Sequence, residues 1–510
     1  NVTNGTSDNN ILKVPSGDNA IFNITPNNGY TLDIESQTCE GILNSNTGIY
    51  TINNITENKE CSLTLKLGNL DKSGANSPDL VQGLIPVVYY NNKWVKADST
   101  NSNSTYQWYD YDNKLWANAV LVSSANRSTY QNASAGTAIT ESDILAYYVW
   151  IPRYKYKVWN IKKVIGTDSY NAYNTGIDIV FENEKESTGT INCNYDFSIT
   201  DNSKLSETCT GLNGDYYTHP AFTFGSDEVR GFWIGKFELT GTGDISKLTI
   251  LPNKTSLRYY SGFSKSSIIQ NMQTSGNVYG LNTSRTNTDS HMITNYEWGA
   301  LAYLTNSKYG RCTNGSCTEV TTNNCSSYIT GIGADNVSTS SSSTTCTTAA
   351  NKYNGTKGML ASTTGNVTGV YDTSGGSYEY VMGNMSGRTG TYNFFASKSL
   401  FSSDWYTAST AKYLTTYAWG TTNNGQNALN RSRLGDATGE IALLINNRYC
   451  VWYSGGSSFP FYSDSYSSPV WFSCGGGYNT IGNTIFSFSV TYGEDEEGEY
   501  SSRATLVSLK

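Results

Sequence analysis

Residues 293–310, ITNYEWGALAYLTNSKYG, and residues 232–240, FWIGKFELT, decide the fold of this chain. The second stretch alternates apolar and polar residues, which is the pattern of a half-buried strand. The first opens with a capping box, because Thr294 can cap a helix while Glu297 reaches back to it. Gly310 is the predicted end of that helix. We therefore expect a capped helix packed beside a sheet.

Around these stretches the chain is polar without being highly charged. Of its 510 residues, 15% are charged and 37% are hydrophobic, and there are 39 Tyr and 11 Trp. Aromatic residues at this level can form a sizeable core, and Thr, Tyr, Val and Trp favour strands. We predict a mainly β fold with few helices (α+β), divided into two or three domains.

The charge pattern argues against nucleic acid and membrane partners. The net charge is −8, and Lys and Arg do not cluster as phosphate binding would require. The longest apolar candidate, residues 83–90 (GLIPVVYY), is strand-sized, whereas a membrane helix needs about 20 apolar residues. We expect no nucleic acid partner and no membrane span in this chain.

Ten cysteines fall into neighbouring couples, and the chain has only two histidines. Zinc sites need closely spaced Cys or Cys/His clusters, which are absent from the sequence, so five local disulfides are the better interpretation. Disulfides form outside the cytosol, and we expect an extracellular or cell-surface protein. The predicted pairs are Cys39–Cys61, Cys193–Cys209, Cys312–Cys317, Cys325–Cys346 and Cys450–Cys474.

Residues 1–70 have the pattern of a small β domain, with short alternating segments separated by Asn and Gly turns. The segments are 19–24, 30–34, 50–52 and 61–67. This part resembles the small immunoglobulin-like repeats of Gram-positive surface proteins. Residues 71–146 are predicted to comprise a polar linker, 70–80, and a Trp/Tyr-rich β segment.

From about residue 147 onward, six motifs follow one another in a recognisable order. They are 149–156 (VWIPRYKY), 232–240, 293–310, 365–385 (GNVTGVYDTSGGSYEYVMGNM), 470–479 (VWFSCGGGYN) and 501–509 (SSRATLVSL). Together they resemble the formylglycine-generating-enzyme or sulfatase-modifying family, a variant of the C-type lectin fold. The resemblance implies a C-type-lectin-like domain over residues 147–510, closed by a final strand.

The departures from that family bear on function. The oxidases bind copper through a cysteine pair after the Gly-Gly turn, but residues 477–510 contain no cysteine. Related iron enzymes use several histidines, and two isolated ones cannot supply such a site. We expect no enzyme activity, no cofactor and no bound metal. Asp436 with Glu440 is a candidate calcium pair, for which two solvated carboxylates are the favoured alternative.

What remains is a non-catalytic branch, which resembles retroelement-diversified variable surface proteins. The C-terminal segment is rich in Tyr, Ser and Asn, the residues that antibody loops use for recognition. We predict one binding face near residues 475–477, for a protein or glycan on another cell or phage, with self-assembly as a further partnership. Its residues are Tyr453, Ser454, Tyr462, Asp464, Tyr466, Tyr478, Asn479, Thr480, Asn483, Ser487 and Ser489.

Other polar side chains have a structural interpretation that we favour over a functional one. Glu238, Asp372 and Glu379 form an acid/base set only if the fold brings them together, and we expect them to pin loops instead. His219, before Pro220, is expected to be a hydrogen-bonded structural residue. His291 is expected to lie beside the helix cap. Trp150, Trp233 and Trp298 are predicted core residues.

The predicted function is ligand recognition or adhesion at a cell surface, with a role as a subunit of a filament or pilus. Three alternatives stay open. The chain could be a phage or virion receptor-binding protein, an oxidase of the formylglycine-generating type, or a purely structural surface subunit.

Overall fold

The structure is a computed structural model of the chain. It describes most of the first 157 residues and discontinuous parts of the remainder. The described ranges, apart from positions 28, 29, 46 and 82, are 1–157, 176–189, 192–193, 209–210, 216–241, 248–257, 288–333, 346, 348–386, 412–418, 435–436, 443–445, 448–450, 470–479, 484–492 and 499–509.

The N-terminal part contains seven strands in two sheets. One sheet has the order β1-β7-β4, with β1 parallel to β7, and the other has the order β2-β3-β6-β5. The strands are β1 (Val2–Thr3), β2 (Gly5–Ser7), β3 (Ala20–Pro26), β4 (Tyr30–Gln37), β5 (Ile42–Leu43), β6 (Ile49–Ile52) and β7 (Leu63–Leu67). The four predicted strand segments are confirmed, with ends that differ by at most three residues.

These two sheets share a small hydrophobic core of their own. Ile24, Tyr50, Ile52, Leu63 and Leu65 are buried in it, and the residues that alternate with them face outward. The predicted Cys39–Cys61 disulfide is formed at its margin. A core this small has little apolar area to bury, so a covalent link is an effective addition to its stability.

The remaining elements begin at residue 84. They are β8 (Leu84–Tyr90), β9 (Lys93–Lys96), β10 (Asn118–Val122), α1 (Ser124–Asn132), β11 (Ile144–Pro152), β12 (Tyr154–Lys157), β13 (Ile179–Phe181), β14 (Asn192–Cys193), β15 (Cys209–Thr210), β16 (Tyr216–Thr218), β17 (Thr223–Phe224), β18 (Asp227–Glu228), β19 (Gly231–Gly235), β20 (Thr288–Met292), α2 (Asn295–Thr305), β21 (Cys312–Thr313), β22 (Ser316–Cys317), β23 (Tyr378–Ser386), β24 (Thr415–Ala418), β25 (Leu443–Ile445), β26 (Arg448–Cys450), β27 (Val470–Cys474), β28 (Phe488–Tyr492), β29 (Tyr500–Ser502) and β30 (Ala504–Ser508). The fold is therefore mainly β.

A seven-stranded antiparallel sheet organises this part, in the order β20-β30-β19-β11-β10-β8-β9. The C-terminal strand β30 lies between β19 and β20, so the last residues of the chain close the sheet. Trp150 pairs with Trp233 across β11 and β19. Both are fully buried, as is Trp298 of α2, which confirms the predicted core tryptophans.

Residues 70–80, which we predicted to be a polar linker, are partly buried. Asp71, Ala75 and Asn76 are buried against the larger core. The Asp71 carboxylate accepts a hydrogen bond from the Tyr111 backbone NH, and Asn76 donates to the Arg230 carbonyl. The polar side chains that suggested solvent exposure are used here to satisfy buried backbone groups.

Helix α2 begins as predicted. The Thr294 hydroxyl accepts from the Glu297 NH at 3.1 Å, and the Glu297 carboxylate accepts from the Thr294 NH at 2.8 Å. It ends at Thr305, earlier than the predicted Gly310. The reason is local, because the Ser307 hydroxyl donates to the Leu304 carbonyl and the Arg311 NH donates to the Thr305 carbonyl.

A second sheet has the order β24-β23-β27-β28, and β29 pairs in parallel with β23. Cys312–Cys317 and Cys325–Cys346 are bridged as predicted. Cys193 and Cys209 lie opposite each other in the β14–β15 pair, which is compatible with the predicted bridge. Within the described ranges, no helix has the length and apolar character needed to cross a membrane.

Candidate recognition surface

Most of the predicted binding residues fall outside the described residues. These are Tyr453, Ser454, Tyr462, Asp464, Tyr466, Thr480 and Asn483, and Glu440 of the candidate calcium pair also lies there. Ser489 is described only through its backbone, in β28. Tyr478, Asn479 and Ser487 are the predicted binding residues whose side chains are described.

Ser487 is half-buried and has a structural role. Its hydroxyl accepts from the Thr484 backbone NH at 2.9 Å, and its backbone carbonyl accepts from the Gly475 NH at 2.9 Å. Ser487 therefore closes the 484–487 turn and holds the glycine turn, which makes it a support of the predicted face. The side chains of Ile485 and Phe486, which lie within this turn, are buried.

Tyr478 and Asn479 lie on the turn that follows β27. Tyr478 is half-buried and Asn479 is exposed. The Tyr478 ring meets the ring of Tyr328 edge-on, with centroids 4.9 Å apart. Ser326 and Ser327, which precede Tyr328, are exposed. We call these five residues the glycine-turn surface: Ser326, Ser327, Tyr478 and Asn479, with the buried Tyr328 that packs against Tyr478.

Backbone hydrogen bonds hold this surface from three chain segments. The Gly376 NH donates to the Asn323 carbonyl at 2.7 Å, and the Tyr478 NH donates to the Gly376 carbonyl at 2.9 Å. The Gly375 NH donates to the Gly475 carbonyl at 3.0 Å. Segments around residues 323, 376 and 476 are thus joined directly, so the turn that carries Tyr478 is rigidly supported.

Left-handed backbone conformations concentrate at the same place. Gly375, Gly376, Gly475 and Gly476 all have positive φ angles. A Cβ at Gly376 would lie 2.6 Å from a Glu238 carboxylate oxygen, so no larger residue fits without displacing that carboxylate. Tyr328, which is not a glycine, has φ of 54°. Such strain persists only where the surroundings determine the conformation, and it is frequent at functional sites.

Beneath the glycine-turn surface lies a buried set of charges. The Arg503 guanidinium pairs with the Glu379 carboxylate, with Nε to Oε2 at 3.0 Å, and it also donates to the Gly235 and Tyr371 carbonyls. These hydrogen bonds join the β29–β30 segment to β23, to the end of β19 and to the loop that contains Tyr371. A buried bidentate pair of this kind favours one arrangement of the chain.

Glu238 and Asp372 are bound to loop backbone. Asp372 accepts from Asn323 Nδ2 at 2.8 Å and from the Gly331 NH at 2.9 Å, and Glu238 accepts from the Ser377 NH at 2.9 Å. Both carboxylates are buried. They pin the 323–331 and 375–377 loops, as their predicted structural role required.

The carboxylates nevertheless influence one another. Burial raises the pKa of Glu238 well above its usual range, and the charges of Asp372 and Glu379 raise it further. Burial also raises the pKa of Glu379 to about 7, although Arg503 opposes that change. One arginine cannot balance three buried negative charges, so the charged form of Glu238 is disfavoured.

The predicted Cys450–Cys474 disulfide is wrong, because Cys474 is a free cysteine. This residue is a buried free thiol at the end of β27, where its backbone lies between Glu379 of β23 and Phe488 of β28. The β25–β26 hairpin instead places Cys450 opposite Leu443. Burial raises the pKa of the Cys474 thiol well above its usual range. A thiol kept protonated in this way is a poor nucleophile and a poor metal ligand.

Both histidines are structural. His219 is fully buried, and its Nδ1 accepts from the Ala221 NH at 3.2 Å. Burial lowers the pKa of His219 to about 3, so it is neutral. His291 lies against the helix cap, as predicted, with Nε2 3.0 Å from Oε1 of Glu297 and Nδ1 3.1 Å from Oδ1 of Asp289.

In the part of the chain that the structure describes, no group of three or more His, Cys, Asp or Glu side chains is placed to hold a metal ion. Asp436 is buried rather than solvated, and Asn295 donates to its carboxylate at 3.5 Å. This burial contradicts the solvated alternative for Asp436. Of the candidate calcium pair, only Asp436 lies within the described residues.

No family model matches the chain, and no curated protein is significantly similar to it in sequence. Sequence reasoning missed Ser326, Ser327 and Tyr328, although they share the Ser and Tyr composition of the predicted face. The Cys325–Cys346 bridge beside them was the available signal, because it anchors this loop.

Proposed function

We propose that the chain is an extracellular, non-catalytic recognition protein. In this proposal residues 147–510 adopt a C-type-lectin-like fold resembling the formylglycine-generating-enzyme family, and residues 1–70 form an immunoglobulin-like module. The mainly β architecture, the three disulfides among the described residues and a strand β30 inserted between β19 and β20 support it. The ligand is a protein or glycan on another cell or phage.

The observation that carries the proposal is that neighbouring residues hold Tyr478 in place. Its ring packs on Tyr328 and its backbone is hydrogen bonded to Gly376, so it is already ordered before a ligand arrives. An aromatic side chain that is ordered in advance loses little entropy on binding, while Asn479 and the two serines can adapt their hydrogen bonds. This combination is typical of recognition surfaces.

The same geometry weighs against the oxidase alternative. Glu238, Asp372 and Glu379 are committed to loop backbone and to Arg503, and Cys474 is a protonated, buried thiol. These residues stabilise the turn from below. A virion receptor-binding protein would use the same surface, and a purely structural subunit would bury it against a neighbour.

Replacing both Tyr478 and Asn479 by Ala tests the proposal. Labelled full-length protein would be applied to a glycan microarray and to whole cells of a bacterial panel. We expect binding to weaken about 30-fold or more, because a central aromatic anchor contributes about 2 kcal/mol or more. The melting temperature should change by less than about 3 °C.

Tyr90→Ala is the matched control, because Tyr90 is an exposed tyrosine on β8. It should bind as the wild type does. Unchanged binding by the double variant would refute the glycine-turn surface as the binding face. Unfolding of that variant would show that Tyr478 is a core residue.

A further inference from the structure

Three buried carboxylates lie together beneath the glycine-turn surface. Glu238 follows β19, Asp372 lies in the loop before β23, and Glu379 is part of β23. Each of them is at most 1% exposed. Among the described residues, the cation that influences all three is the buried Arg503. We call Glu238, Asp372 and Glu379 the carboxylate set.

The charge balance of this set is unfavourable when every member is ionised. Three negative charges would face one positive charge, and burial removes the water that would screen them. Burial raises the pKa of Glu379 to about 7, and it raises the pKa of Asp372 as well, although Arg503 opposes both changes. The set as a whole therefore retains a proton at a pH where solvent-exposed carboxyls have lost theirs.

Two further titratable groups lie beside the set, and both are neutral. Burial, together with the charges of Glu379 and Asp436, raises the pKa of the Cys474 thiol well above its usual range. Burial likewise raises the pKa of Tyr371, whose hydroxyl donates to the Tyr353 carbonyl. Neither group contributes a charge that would balance the carboxylates.

Two members of the set are bonded to loops. Asp372 accepts from the Asn323 side-chain amide and from the Gly331 NH, and Glu238 accepts from the Ser377 NH. Loops open at a lower free energy than the central strands of a sheet. Repulsion within the set is therefore relieved most easily by movement of these loops.

The glycine-turn surface depends on the same loops. Tyr328 belongs to the 323–331 loop, and the Tyr478 NH donates to the Gly376 carbonyl. Gly376 itself lies against the set, because a Cβ at this position would be 2.6 Å from a Glu238 carboxylate oxygen. A shift of the Glu238 carboxylate away from its neighbours would displace the backbone that holds Tyr478.

We propose that the glycine-turn surface is a pH-controlled recognition surface, which is ordered while the carboxylate set holds a proton and loosens when the set is fully ionised. The proposal rests on the recognition function assigned to that surface, whose regulation it describes. Ligand binding should therefore weaken as the pH rises.

The direction of this effect follows from proton linkage. A carboxyl whose pKa is raised in the closed turn binds its proton more tightly there than in the opened turn. For Glu379 the resulting stabilisation is complete below pH 4.5, the ordinary value, and is lost as the pH rises to about 7.

Hydrogen exchange of the full chain, followed by mass spectrometry on peptides that contain Gly376 and Tyr478, tests the proposal without a ligand. After correction for the intrinsic exchange rate, the opening equilibrium of the turn should rise about tenfold per pH unit between about pH 5 and about pH 7. This slope corresponds to the release of one proton on opening.

Variants that remove one charge identify the groups responsible. Glu238→Gln keeps an acceptor for the Ser377 NH and should reduce the slope to about twofold per pH unit or less. Asp372→Asn should reduce it in the same direction. Asp71→Asn is the matched control, because Asp71 is a buried carboxyl outside the set whose pKa is also raised by burial. It should keep the full slope.

Three results would overturn the proposal: a wild type without the slope, a slope of the opposite sign, or an unchanged slope in both Glu238→Gln and Asp372→Asn. Each of them would leave the recognition function standing, because the measurement involves no ligand. Loss of the recognition function in the binding test of Tyr478 and Asn479 would in turn leave the pH dependence of the turn intact.

Discussion

At the residue scale, both ring nitrogens of the buried His291 side chain lie within hydrogen-bonding distance of carboxylates. Burial alone would lower its pKa, but the charge of Glu297 and hydrogen bonds to Asp289 and Glu297 outweigh burial and raise the pKa to about 9. Lys412 and the Tyr413 hydroxyl contact the same Asp289 carboxylate. Both ring nitrogens face carboxylates, so His291 is an imidazolium at neutral pH.

This raised pKa predicts a pH dependence of stability. The stabilisation by His291 is complete below about pH 6.5, the unfolded value, and is lost as pH rises towards 9. His291→Gln should lower the free energy of unfolding by on the order of 3 kcal/mol at pH 6 and flatten its decline between pH 6.5 and 9. Guanidinium unfolding at a series of pH values measures both effects.

His219→Gln is the control, because burial holds the pKa of His219 at about 3 and it does not titrate in that window. The decline between pH 6.5 and 9 should persist in this variant. A decline of unchanged size in His291→Gln would contradict the assignment of the proton to His291.

At the element scale, the reciprocal cap of α2 links the helix to the sheet. The same Glu297 carboxylate bonds to the Thr294 NH and to His291 of β20. The helix therefore begins at a position that is set by its own sequence and also by the neighbouring strand. Trp298, one residue later, donates to the Ile485 carbonyl next to the turn that supports Gly475.

Removing the Thr294 hydroxyl isolates the contribution of the cap. Thr294→Ala should lower the free energy of unfolding by about 1 kcal/mol, because the Glu297 NH loses its acceptor at a buried helix terminus. Thr294→Ser keeps an acceptor and should restore most of that loss. Thermal unfolding of both variants checks this, and equal destabilisation by Ala and Ser would argue against a capping role.

At the scale of the whole molecule, two separate hydrophobic clusters divide the described core. One contains only residues before 66, and the other contains only residues after 74. Since no buried apolar residue belongs to both, the two cores can lose their packing independently. The disulfide Cys39–Cys61 lies in the smaller one.

Replacing both Cys39 and Cys61 by Ser should therefore destabilise only the smaller core. A loop of this length contributes about 3 kcal/mol, which corresponds to a fall of roughly 10–20 °C in the melting of a small domain. Differential scanning calorimetry should show one transition that moves and one that does not. Replacing both Cys312 and Cys317 by Ser should leave the transition of the smaller core unchanged. A joint shift of all transitions in the variant at Cys39 and Cys61 would contradict independent cores.

The sequence by itself determined the features that depend on near neighbours. The capping box of α2, the local disulfides at Cys39–Cys61, Cys312–Cys317 and Cys325–Cys346, and the alternation of the first strands involve residues within about two dozen positions of one another. Such interactions are set by local geometry and form with little loss of chain entropy. The mainly β class and the buried tryptophans follow from composition, because aromatic residues, Thr and Val favour strands and large aromatic side chains favour the core.

Only the tertiary structure decided which distant residues meet. It brings Glu238, Asp372 and Glu379 to Arg503, inserts β30 between β19 and β20, and joins Tyr478 to Tyr328. It also leaves Cys474 as a free thiol and buries Asp71, Ala75 and Asn76 of the predicted linker. These outcomes depend on strand pairings across hundreds of residues, in which every pairing competes with alternatives of similar local pattern, so the packing of the whole chain selects among them.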